Sequence, residues 1–317
     1  AYKLDQHMVL TENFNGTLFK HKNGKTYFLG GDADCRLWEL AGVDSIKRQS
    51  ADVKVTAAMV AKAQENAKRN LDAAQAATGK KLARIPRLNN AAADGKYDEW
   101  GAAPSLTIFV EEKRSATAQL GYDDKNLYAR FQVADESPLI NTPTDYKLLF
   151  KSGDSVELQL GTALQKRNVQ GQNQQNMAVG DLRLIMARTA DGKMVATRYR
   201  YMTAEKEKPN QASFETVSSG KDTLDEVAAW NELPMNTKAE KDGYVVEAAI
   251  PWAALGIAPK SGLALVGDVG VIYGNEGGTR NAIRYLWSDK SPEISINNDI
   301  PSEIRIHPND WGKLTLE

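Results

Sequence analysis

Five polar side chains fall at alternate positions of strand-like segments and could together hydrogen-bond a ligand rich in hydroxyls: Arg130, Gln132, Glu157, Gln159 and Arg183. Hydrogen bonds from charged groups are the stronger ones, so carboxylate and guanidinium side by side on one sheet face would make a polar groove. The same pattern arises when the second face of an antiparallel sheet meets water, and the residues alone leave both readings open. Aromatic rings would supply the rest of such a site. Trp100, Trp252 and Trp311 sit where a ring anchors a strand end or turn to the core, whereas Trp287 lies amid charged and polar residues and is the candidate ligand platform.

Other chemistries lack the residues they need. His7, His21 and His307 are the only histidines and Cys35 the only cysteine, so a standard zinc site is not expected and no internal disulfide can form. No His-Glu-x-x-His, Gly-x-Ser-x-Gly or Gly-x-x-x-x-Gly-Lys-Ser/Thr motif occurs. None of the 41 acidic residues is singled out as half of a catalytic pair, and a non-enzymatic role is expected. The 40 basic residues balance those acids, which gives nucleic acid or an anionic membrane no electrostatic claim on the chain. No apolar run reaches the roughly 18–20 residues that span a bilayer.

The elements that would position these residues are mostly strands. Residues 1–55 read as a short β segment: Gly16–Phe19 and Thr26–Leu29 flank an Asn23-Gly24 turn, and Cys35–Leu40 follows, with a weak likeness to one β-propeller blade. Residues 56–84 read as a connector with one long helix from Thr56 to Thr78, its stripe made of Met59, Val60, Ala63, Ala67, Leu71 and Ala74. From 85 to 317 apolar and polar residues alternate, as in Leu127, Ala129, Phe131, Val133 and again in Val156, Leu158, Leu160. Many such segments separated by Gly, Asn and Asp turns predict a mainly β fold, an antiparallel sandwich. Leu164 to Val179, rich in Gln and Asn, reads as a long polar loop.

Several motifs in that last region occur in a telling order. Ala93-Asp94-Gly95-Lys96-Tyr97-Asp98-Glu99-Trp100 opens it, followed by Gly121-Tyr122-Asp123-Asp124-Lys125-Asn126-Leu127-Tyr128-Ala129 and Val133-Ala134-Asp135-Glu136-Ser137-Pro138. Gly153-Asp154-Ser155-Val156-Glu157-Leu158, Gly243 to Trp252, Arg280, Tyr285 to Asp289 and Trp311-Gly312-Lys313-Leu314 complete the set. Together, over about 88–317, they resemble the family 9 carbohydrate-binding modules and their DOMON-like relatives. The resemblance implies a jelly-roll-like sandwich that binds a saccharide without catalysis and carries structural calcium, for which Asp94, Asp98 and Asp135 are the contributors. It also implies that Glu157 and Arg183 bind the ligand, joined by Arg280, Trp287 and Phe150. Phe150 stands near one of the family's two ring positions; near the other stands Ser302-Glu303-Ile304-Arg305, without a ring.

These readings predict a carbohydrate-binding part of a larger polypeptide or complex, placed outside the cell, in the periplasm or at the surface. A second reading within the same resemblance is a haem-binding electron carrier, drawing on Met177, Met186, Met194, Met202 and Lys290. A third is an assembly role for the first 80 or so residues.

Overall fold

Alternating sequence makes strands when the apolar positions of two sheets can be buried against each other. The computed structural model describes residues 16–20, 22–23, 25–30, 36–40 and, within 81–317, all but 97, 112, 162–176, 218 and 291–299. Two compact units divide the chain, Ala1–Gln64 and Glu65–Glu317. In the first, β1 (Gly16–Lys20), β2 (Thr26–Gly30) and β3 (Arg36–Leu40) form an antiparallel sheet in that order. Lys20 pairs with Thr26 across the expected turn, where the Lys25 N–H donates to Asn23 Oδ1 at 3.0 Å.

The second unit runs through β4 (Leu82–Ile85), β5 (Ser105–Val110), β6 (Ser115–Tyr122), β7 (Asn126–Ala134), β8 (Ser155–Gly161), β9 (Leu182–Arg188) and β10 (Met194–Arg200). It continues with β11 (Ala212–Thr216), β12 (Gly220–Leu224), β13 (Glu226–Ala229), β14 (Met235–Glu240), β15 (Gly243–Pro251), β16 (Ala264–Gly274), β17 (Asn281–Leu286) and β18 (Gly312–Leu316). Among the described residues its α-helices are short, α1 (Trp252–Leu255) and α2 (Ile300–Ile304). The long helix expected from Thr56 to Thr78 and most of the polar stretch from Leu164 to Val179 lie outside the described residues.

A large sheet ordered β13-β10-β9-β8-β16-β18-β4, with β17 also on β16, packs against a five-stranded sheet ordered β14-β15-β7-β6-β5. Val156, Leu158 and Leu160 of β8 meet Phe131, Val133 and Val246 in one inter-sheet core. The chain returns to where the unit began: β18 pairs in parallel with β4, Lys313 opposite Leu82 and Leu316 opposite Ile85.

The outer face of the large sheet is also dry. Ile185, Tyr199, Val227 and Ile272 point outward and are buried under Leu149, Phe150, the β11–β12 residues Phe214 and Leu224, and Ile304 of α2. Ser155, Glu157 and Gln159 share that face and are as buried as their apolar neighbours. Of the two readings open at the sequence level, a water-facing second surface therefore does not apply to β8.

Gly270 of β16 sits opposite both Glu157 and Leu286. A Cβ there would lie 2.4 Å from Leu286 Cδ2 and 2.8 Å from both Glu157 Oε1 and the Tyr285 carbonyl. Gly270→Ala is therefore expected to destabilise the sandwich by about 1–3 kcal/mol, the cost of overpacking a tight core, measured as a lower urea midpoint at unchanged m-value.

Candidate functional site

Glu157 lies on β8, in the middle of the large sheet, and two arginines converge on it. Arg183 Nε donates to Glu157 Oε2 and Arg284 Nε donates to Glu157 Oε1, each at 2.7 Å. The register explains the meeting. Arg183 on β9 is opposite Gln159, one diagonal step from Glu157, and Arg284 on β17 reaches over Gly270 from opposite Ile272. Burial alone would raise the Glu157 carboxyl, but the charges of Arg183 and Arg284 outweigh it and hold the group below its ordinary value. Burial and the like charge of Arg284 lower the Arg183 guanidinium.

α2 closes over this group. The Glu303 carbonyl accepts from Arg183 Nη1 at 2.7 Å, and the Glu303 carboxylate accepts from Lys151 Nζ at 2.6 Å and Asn281 Nδ2 at 2.7 Å. The Phe150 ring lies 5.3 Å from the Arg183 guanidinium carbon. Trp311 Nε1 donates to Gln159 Oε1 at 2.8 Å, extending the network along β8. Two donors are left over: Nη2 of Arg183 and Nη2 of Arg284 are buried without a hydrogen-bond partner among the described residues.

Glu157, Arg183 and Phe150 are thus brought together. Arg284, Glu303, Lys151 and Asn281 belong to the same cluster; they adjoin or lie within motifs read from the sequence, where no local signal assigned them a role. Arg280 is exposed, in a turn where the Arg280 N–H donates to Asn275 Oδ1 at 2.9 Å. Trp287 is only 4% exposed and belongs to the inter-sheet core, with Gly312 against its ring.

Of the residues expected to hold calcium, the two whose side chains are described have partners within the chain. Asp94 takes the Lys96 amine at 2.8 Å, Asp135 takes the Ser137 hydroxyl at 3.1 Å, and the side chain of Asp98 lies outside the described ones. The residues considered for haem are placed otherwise as well. Met186 is in the inter-sheet core, Met177 packs with Ile306 and Trp311, and the Lys290 amine donates to the carbonyls of Ile108 and Leu286.

An open cleft of about 290 Å³ lies elsewhere on the sandwich, lined by Asp135, Ser137, Arg188, Glu240, Lys241 and Tyr244 among others. Its volume is at the low end of small-molecule sites, about 300–1,000 Å³. Among the described residues, no helix is long and apolar enough to cross a membrane.

Fold and site together define a β-sandwich with a sealed, charged cluster on its covered face. No protein-family model matches the sequence, and no curated protein matches it. Similar solved structures include two of a family 9 carbohydrate-binding module from Caldicellulosiruptor kristjanssonii. The one in complex with cellotriose shows 18% identity and a TM-score of 0.46 over 75% of this chain and 94% of that chain. The one in complex with glucose shows 18% identity and a TM-score of 0.44 over 75% of this chain and 96% of that chain. Both belong to the family that the sequence motifs resemble; at these values the site itself must carry the functional argument.

Two measurements probe the cluster and its surroundings. Glu157→Gln should cost about 3–5 kcal/mol in urea unfolding, because it leaves buried guanidiniums uncompensated, while Arg280→Ala should stay within about 0.5 kcal/mol. Burial also raises the Asp154 carboxyl to about 6, against the hydrogen bond it accepts from the Gly274 N–H. An acid raised by folding holds its proton in the native state after the unfolded chain has lost it, so its contribution falls as pH rises from about 4 through 6. Asp154→Asn should flatten the pH dependence of Tm across that window; an unchanged slope would mean that Asp154 ionises normally.

Proposed function

We propose that the second unit is a non-catalytic carbohydrate-binding module, working outside the cytoplasm as part of a larger polysaccharide-handling protein. The observation that carries this reading is the unused hydrogen-bonding capacity of Arg183 Nη2 and Arg284 Nη2 beside Glu157. Interleaved carboxylate acceptors and guanidinium donors suit sugar hydroxyls, which both donate and accept. The Phe150 ring offers an apolar face beside them.

The ordered motifs of the sequence support the same reading. Near the family's second ring position this chain has α2, whose Glu303 carbonyl already occupies Arg183. A saccharide that engages Arg183 and Arg284 therefore takes the place of Glu303, and α2 moves aside. That exchange costs the contacts of a buried helix, so weak binding is expected.

Titration with glucose and gluco-oligosaccharides should give saturable heat and shift the Nε–H resonances of Arg183 and Arg284. Shifts confined to Arg188 would move the site to the open cleft. Flat titrations across a broad panel of saccharides would sink the proposal.

A further inference from the structure

Three side chains that the sequence keeps apart meet beside the end of β17. One ligand-capable atom each from Asp289, His307 and Asp310 lies within 4.8 Å of the others. Asp289 and His307 are buried, 3% and 6% exposed, with His307 Nδ1 3.1 Å from Asp289 Oδ2, whereas Asp310 is exposed. We propose that Asp289, His307 and Asp310 bind a divalent first-row transition ion such as Zn²⁺.

The donor set selects the class of ion. An imidazole nitrogen with two carboxylates suits zinc and its neighbours, whereas calcium takes an all-oxygen shell. A metal bonded at about 2.0–2.2 Å to each atom would bring them to at most about 4.4 Å apart, a small inward adjustment. Three protein ligands leave a coordination position on the exposed Asp310 side for water.

The backbone around the three ligands is already fixed. Asp268, itself buried, accepts from the N–H groups of Ser288 at 2.9 Å and Asp289 at 2.7 Å. The Ser288 hydroxyl donates to the Asp310 carbonyl at 2.8 Å, and the Asp310 N–H donates to the His307 carbonyl at 2.9 Å. Ligands held on a supported backbone lose little entropy when the ion arrives.

This site stands independently of sugar binding, yet it touches the same architecture. Asp289 and His307 bracket residues 290–306, the stretch that includes α2 and Glu303. A bound metal would tie the two ends of that stretch together in the folded protein.

The test uses the full chain, stripped with a chelator and dialysed, then titrated with ZnCl₂ by calorimetry. The expected result is a saturable site in the wild type, with Tm rising on zinc addition, and Co²⁺ giving ligand-field absorption. His307→Ala should weaken that binding by more than the about 10–100-fold that loss of an outer-shell partner costs. Asp310→Asn, at an exposed position that leaves the core intact, should weaken it by at least about tenfold and reduce the Tm shift. Because His7, His21 and Cys35 offer zinc other ligands, total uptake is not the readout; the difference between wild type and variants is. Equal binding by wild type and both variants, no binding by the stripped wild type, or tighter binding of Ca²⁺ than of Zn²⁺ would each overturn the assignment.

Discussion

One carboxylate shared by two guanidiniums, away from water, constrains the large sheet more than any other interaction in it. The Glu157 group spans β9, β8, β16 and β17, and each strand gives something to it: Arg183, Glu157, the missing side chain of Gly270, and Arg284. A buried charge of this kind adds little net stability but is costly to leave half-paired, so its geometry is closely enforced. Register shifts of a single residue in β9 or β17 would turn an arginine toward the inter-sheet core and strand the carboxylate. The cluster thus acts as a check on strand alignment that apolar side chains, being interchangeable in shape, provide less sharply.

Covering the outer face of the large sheet follows from the same cluster. Arg183 and Arg284 still have donors to satisfy once Glu157 is engaged, and the Glu303 carbonyl of α2 supplies an acceptor to both, at 2.7 Å and 3.4 Å. Around that polar centre Ile304, Phe150, Phe214 and Leu224 bury the apolar outward positions of β9, β10 and β13. A sandwich normally shows water one face of each sheet; here the large sheet has two cores and the charged group sits within the second.

The strands were legible because period-two alternation reports two chemically different faces. Leu127, Ala129, Phe131 and Val133 all reach the inter-sheet core as their spacing implies. What alternation does not report is whether the polar face meets water, and Glu157 and Gln159 show why: their partners come from residues up to 152 positions away. Arg284 adjoins the run Tyr285 to Asp289 and Glu303 lies within Ser302-Glu303-Ile304-Arg305, but nothing local tied either to Glu157. Asp289 and His307 were each visible but not as a pair: counting histidines and cysteines excluded a zinc set, and the two side chains meet only across 18 residues of chain. The ring at Trp287 looked available from its polar neighbours, yet the indole is buried in the inter-sheet core, and Asp289 beside it is buried too.

The parallel pairing of β4 with β18 has a mechanical meaning. Leu82 at the start of β4 and Leu316 at the end of β18 lie at opposite ends of the pair, and the Arg84 guanidinium on the ladder pairs with the Glu317 carboxylate just past it at 3.1 Å. Tension carried along the polypeptide through the unit would load these hydrogen bonds in shear, all at once, instead of peeling them open one by one. A module strung between two anchors is held, in this arrangement, by the seam that joins its own entrance and exit.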